Sequence, residues 1–149
     1  MTNQFKPSQD YLKYWRVIRY FVQAKYKISM ADLELLLFLY SEKYFNKTKF
    51  IEFDKLLSWD KERFNKLIKD DWIVVFRKKK GKQAKLYEMS YKGRRMIGTM
   101  YKKLNGEELP ESKVGNPLFS KNTNSTDRIY KNMIIEMNKF IRKERSQQN

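Results

Sequence analysis

Trp72-Ile-Val-Val-Phe-Arg-Lys-Lys-Lys-Gly-Lys-Gln-Ala-Lys-Leu-Tyr-Glu-Met89 is the stretch whose reading decides the fold. A bare run of cations reads as a solvated face or a tail. Here the flanks argue for an ordered element: Ile73 to Phe76 lead in and Leu86 to Met89 lead out. Each is a β-favouring run of four, with Gly81 at the turn between them. The densest part, Arg77-Lys-Lys-Lys-Gly-Lys-Gln-Ala-Lys85, is therefore expected at the tip of a hairpin. From Trp72 to Lys103 there are eleven Lys and Arg against one acid, Glu88.

That concentration belongs to a chain of 149 residues and 18.3 kDa with net charge +16 and pI near 9.9. At 41% hydrophobic and 15% aromatic residues, it has too much apolar material for a disordered polycation. Such a charge surplus repels itself in the compact state, which points to a polyanionic partner, nucleic acid before membrane. There is no apolar stretch of spanning length, and the first residues, Met1 to Lys6, have no apolar signal core. The chain reads as soluble and not secreted.

Cysteine and histidine are both absent, which removes disulfides, thiolate metal sites, Cys nucleophiles and imidazole-based triads. Among 17 acids and five glycines no paired-acid motif, phosphate-cradling loop or metal-ligand spacing stands out. No catalytic residue, metal or cofactor is expected, and the chain does not read as an enzyme.

Upstream of the hairpin the periodicity is helical. Ser8 is read as the cap of a first helix running to about Lys25, with Tyr11, Trp15, Ile18 and Val22 on one face and Tyr14, Val17 and Phe21 on a second. Two apolar faces exceed what one intrachain contact normally covers. Ser29-Met-Ala-Asp32 resembles a capping box and opens a second helix, apolar almost all round, expected to be central and to end near Tyr44. Phe50 to Leu57 form a third helix, closed by Ser58, and Asp60 to Asp71 a fourth. On the fourth, Asp60, Phe64, Leu67 and Ile68 share one side; Glu62, Asn65, Lys66 and Lys69 point away.

After the hairpin, Ser90 caps a fifth helix with Ile97, Met100, Tyr101 and Leu104 at helical spacing, and Asn105-Gly106 ends it. Residues 107 to 124, with Pro110, Gly115 and Pro117, read as a long loop pinned by Leu118 and Phe119. Ser125-Thr-Asp127 begins a last helix whose stripe is Tyr130, Met133, Met137, Phe140 and Ile141. The expected fold is mainly α with a small β-hairpin.

This order of elements resembles the winged helix-turn-helix regulators of the MarR type over almost the whole chain. Two patterns carry the likeness. Ile28-Ser-Met-Ala-Asp-Leu-Glu-Leu-Leu-Leu-Phe-Leu39 looks like the family's second helix. Leu67-Ile-Lys-Asp-Asp-Trp-Ile73, the hairpin, and then Leu86-Tyr-Glu-Met-Ser-Tyr-Lys-Gly-Arg-Arg95 look like the end of a recognition helix, the wing, and the family's Ser/Thr-x-Lys-Gly-Arg approach to the next helix.

The resemblance implies one winged-helix domain over 1–149. Its helices at 1–25 and 125–145 would dimerise, 29–104 would be the DNA-binding core, and 105–124 a linker. It implies that the fourth helix enters the major groove of double-stranded DNA while the wing follows the backbone. Lys61, Glu62, Asn65, Lys66 and Lys69 would then face the groove, Asn65 matched to an adenine edge and Glu62 to a cytosine amino group. Arg77, Lys78, Lys79, Lys80, Lys82 and Lys85 would meet phosphates. A homodimer interface would take Tyr14, Val17 and Phe21 from the first helix and Tyr130, Met133, Met137 and Phe140 from the last.

Three positions depart from the family pattern. Trp59-Asp60-Lys61 stands where small hydroxyl residues are common, Asp71 stands where Gly is usual, and the wing has no acid between Arg77 and Tyr87 to pair with its Arg. Residues 59 to 71 carry four bases and four acids, so backbone contacts should dominate.

The implied function is a dimeric transcriptional regulator in the cytoplasm of a bacterial or phage-infected cell. A small-molecule effector belongs to that reading, though no residue identifies one. Two alternatives stand beside it: a nonspecific or architectural DNA-binding protein of a phage or mobile element, and a winged helix reused as an interaction module in a larger assembly such as a virion.

Overall fold

The computed structural model describes residues 10–57 and 59–147. Their order is α1 (Tyr11–Tyr26), α2 (Met30–Tyr40), α3 (Lys47–Leu56), α4 (Arg63–Lys69), β1 (Ile73–Arg77), β2 (Leu86–Met89), α5 (Tyr91–Leu104), a 3-10 turn at Pro117–Phe119, and α6 (Ser125–Gln147). The fold is mainly helical with a small two-stranded antiparallel sheet, an arrangement compatible with a winged helix. Two compact units divide the chain: Ile28–Gly98, called here the core unit, and the residues up to Lys27 together with those from Thr99 onward, the flanking unit.

In the core unit, Ser29 caps α2 by accepting from the Asp32 N–H at 3.1 Å, as its capping-box pattern predicts. Leu33, Leu35, Leu36 and Leu39 are fully buried. The expected all-round burial does not hold, because Met30, Phe38 and Tyr40 are 45%, 43% and 39% exposed. Nor does the helix reach Tyr44. The chain leaves it at Ser41 so that Phe45 can lie beside β2, where Phe45 and Tyr87 exchange both backbone hydrogen bonds at 3.0 and 2.8 Å.

Helix α3 starts at Lys47, three residues earlier than its apolar pattern suggests, because Asn46 accepts from the Lys49 N–H at 2.9 Å. Ser58, expected to cap the next helix, lies outside the described residues. Helix α4 starts at Arg63 rather than Asp60. Asp60 instead turns the chain, its carboxylate accepting from the Glu62 N–H at 2.9 Å, and it is exposed rather than on the apolar side.

The end of α4 explains Asp71. Its φ of +63° is left-handed, its N–H donates to the Ile68 carbonyl at 3.0 Å, and the Trp72 N–H reaches back to Leu67 at 2.8 Å. This is a Schellman motif with Asp in the place glycine favours; a short polar side chain tolerates that backbone better than most.

The hairpin forms as read, with Ile73 opposite Met89, Val74 opposite Glu88 and Val75 opposite Tyr87. A bulge between Val75 and Arg77 leaves Phe76 as the extra residue. At the tip, Lys80 and Gln83 bond reciprocally around Gly81-Lys82. Gly81 has φ +60° while Lys82 does not turn positive, the II′ pattern in which glycine takes the first central position.

The Ser90-Tyr-Lys-Gly-Arg94 motif is structural at three of its positions. Ser90 accepts from the Gly93 N–H at 3.1 Å and so caps α5. Lys92 donates to the Asp70 carbonyl at 2.8 Å and sits 4.0 Å from the Trp72 ring centroid, tying down the end of α4. A Cβ at position 93 would lie 2.6 Å from Met89 Cγ, so any other residue there would have to push the buried Met89 side chain aside.

In the flanking unit, the described cap of α1 is Asp10, which accepts from the Lys13 N–H at 3.3 Å; Ser8 lies outside the described residues. Helix α6 begins at Ser125, as its sequence suggests, and Asn124 caps it, accepting from the Asp127 N–H at 2.7 Å. Tyr20 stacks on Tyr130 at 3.8 Å, and its hydroxyl donates to Asp127 at 2.5 Å. That hydrogen bond, with smaller contributions from burial and charge, pushes the Tyr20 pKa up to about 12.

The segment read as a loop is bolted to α6. Asn138, fully buried, accepts from the Leu109 N–H and donates to its carbonyl, both at 2.9 Å, as a strand neighbour would. Asn116 holds the Pro110 carbonyl at 2.9 Å and caps the 3-10 turn. Leu118 is buried and Phe119 half-buried, consistent with the pinning expected of them.

Candidate nucleic-acid interface

The hairpin tip displays its charge because it holds no acid: the hairpin's one carboxylate, Glu88, lies back on β2, 4.0 Å from Arg94. Arg77, Lys78, Lys79, Lys80, Lys82 and Lys85 are all exposed. Arg77, with no acid partner among the described residues, donates instead to the Ala84 carbonyl at 3.3 Å, which stiffens the hairpin and leaves the positive charge uncancelled there. Lys85 extends over the Tyr87 ring at 5.5 Å. A narrow element carrying cations on a two-residue turn suits a polyanion's backbone.

Helix α4 is arranged differently. Asn65, Lys66 and Lys69 are exposed on it, while Phe64 and Leu67 are buried; Lys61 and Glu62 are also exposed, but on the turn before the helix and not within it. Arg63 was missed as a structural residue. It is 5% exposed and lies between two buried carboxylates: its Nε donates to Asp32 of α2 at 2.8 Å, and its Nη1 donates to Asp54 of α3. Burial alone would favour the neutral guanidine, yet these hydrogen bonds outweigh it and raise the pKa of Arg63. One side chain thus staples three helices.

Lys66 is only partly available to a ligand. Its ammonium sits 3.3 Å from the second oxygen of Asp32, on a side chain that is 58% exposed. With Arg63 and Lys66 engaged by Asp32 and Asp54, Lys61 and Lys69 remain against Asp60, Glu62, Asp70 and Asp71. The part of 59–71 left to face a ligand is therefore more acidic than the sequence count suggests.

The residues expected at a subunit interface divide. Tyr14, Val17 and Phe21 are 6%, 1% and 1% exposed in the single chain, so the second face of α1 is already covered and offers no surface. Met137 is buried, Tyr130 and Met133 are half-buried, and Phe140 is 43% exposed. Ile129, absent from the expected stripe, is 60% exposed and falls on the Met133 and Phe140 side of α6.

The exposed side of α2 borders an open groove of about 360 Å³ lined by Glu34, Leu37, Phe38 and Leu57. Among the described residues no cluster of acids could hold a metal ion, and no helix is long and apolar enough to cross a membrane. No known protein family matches the chain, and no characterised protein matches it at a significant level.

Proposed function

We propose that this chain is a winged-helix protein that binds double-stranded DNA, holding the backbone with the wing and offering α4 to the major groove, and that it works as a dimeric MarR-like transcriptional regulator. The observation that carries this reading is the uncancelled cation array at Arg77–Lys85, on an ordered turn in the same compact unit as a helix exposing Asn65 and Lys69, with Glu62 exposed at its N-terminal end. Phosphate contacts would supply affinity and register, and Asn65 and Glu62 the base reading.

Selection of genomic fragments on the purified protein tests it. A regulator enriches a defined site, bound at least about 10³-fold more tightly than random duplex. Recovery of unenriched fragments with a steep salt dependence would replace the regulator with a nonspecific DNA-coating protein. The acid excess left on 59–71 favours that second reading, because it opposes close approach of α4 to a groove unless the wing provides the attraction.

A further inference from the structure

The aromatic residues on and around the sheet of the core unit fall into two groups. Phe45, Phe50, Phe64 and Tyr87 are buried and pack on one another. Phe76 is 46% exposed, and it is the bulge residue. Bulges commonly re-aim a side chain, and a phenyl ring held half in water forgoes the gain of burial. Its ring is nevertheless ordered, stacked on Tyr44 with centroids 3.8 Å apart and planes 20° apart. Lys43 lies 5.5 Å from the Tyr44 ring centroid, and Arg77, Lys78 and Lys79 follow Phe76 in the chain.

A flat aromatic surface bordered by cations is how proteins hold nucleotides that are not paired: the ring takes the base, the cations take the phosphates on either side. A protein partner would need acids to match four neighbouring cations and would gain little from a preformed stack. We propose that Tyr44 and Phe76 form a stacking platform for an unpaired nucleobase, with Lys43 and Arg77 to Lys79 holding the flanking phosphates. The preferred ligand is then DNA with a single-stranded end or bulge beside a duplex. This rests on the nucleic-acid reading above and extends it to a class of DNA structure.

Anisotropy titrations with three labelled DNAs test it: a blunt duplex, the same duplex with a short single-stranded overhang, and that duplex with an abasic overhang that keeps the phosphates. The true overhang should bind about fivefold to a hundredfold more tightly than the other two. Phe76→Leu, which keeps an apolar side chain but no ring, should abolish that preference, and Phe76→Trp should retain it. Equal binding of the true and abasic overhangs, or an unchanged preference in Phe76→Leu, overturns the platform and leaves duplex binding standing. Overhang binding without blunt-duplex binding supports the platform and removes the regulator. Absence of binding to all three overturns both.

Discussion

Helix α4 and the wing carry the same kinds of basic side chain and use them in opposite ways. On α4, Arg63 is sunk between Asp32 and Asp54 and Lys66 leans on Asp32, so half of the cations counted in 59–71 hold the protein together. On the wing, no carboxylate intervenes from Arg77 to Lys85, and the cations stay available to a ligand. Charge counted along a sequence is therefore a poor guide to charge available at a surface. The comparison assigns structure to one region and attraction to the other, and each assignment can be broken separately.

The largest effect is expected at Arg63. Arg63→Ala leaves buried Asp54 without its guanidinium and buried Asp32 with only the largely exposed Lys66, and should destabilise the fold by about 3–5 kcal/mol, read as a lowered midpoint in urea. A loss under about 1 kcal/mol would mean that the staple is not what joins α2, α3 and α4. The wing should respond oppositely. Lys78→Ala, Lys79→Ala and Lys80→Ala combined should leave the urea midpoint unchanged, weaken DNA binding for all sequences, and lower the slope of log affinity against log salt by about 2.7. An unchanged slope would remove the wing from binding.

Tyr20 sharpens the contrast by being a neutral donor. Its pKa, 10.0 when unfolded and about 12 when folded, is raised on folding, so its contribution is fully present below pH 10 and disappears as pH climbs to about 12. Tyr20→Phe should cost about 1 kcal/mol below that window, after allowance for solvent screening, and almost nothing above it. Groups common to both proteins cancel in the difference. A gap that persists above pH 12 would place the loss in ring packing on Tyr130. The Arg63 staple, always charged, should show no such window.

The smallest change is Lys66→Ala. Its side chain is largely exposed and Asp32 retains Arg63, so stability should fall by no more than about 0.5 kcal/mol. The salt slope should drop by clearly less than the roughly 0.9 expected of a wing lysine that contacts phosphate. A full drop would show that Lys66 leaves Asp32 for DNA and would narrow the distinction between the two regions.

Local signals were legible in the sequence. The β-favouring runs on either side of Gly81, the Ser29 cap, the Ser90 cap and the order of helices follow from short-range chemistry, and the structure has them. Asp60 misled because a helical wheel places it beside Phe64 and Leu67 although it serves as a turn residue. Arg63 was harder: its wheel position flanks Leu67, a faint hint of burial, but its partners are nine and 31 residues away. Asn138 likewise sits on an apolar stripe with nothing nearby to announce that it would hold Leu109 across 29 residues. Long-range polar pairing depends on which helices meet, and periodicity does not encode that. The exposed side of α2 was hidden for the same reason, since an evenly apolar helix does not say which face finds a neighbour.

The II′ tip of the wing also sets how the molecule meets a protease. Between Arg77 and Lys85 the segment is held internally by the Lys80–Gln83 pair and the Arg77 contact to Ala84, and it is exposed throughout. Opening it costs little compared with opening a helix, and six of its nine residues are trypsin cleavage points. Limited digestion should therefore nick the hairpin first, separating the chain into two pieces near Gly81. A ligand lying along those lysines would shield the same bonds, so the rate of that single cut reports occupancy of the wing.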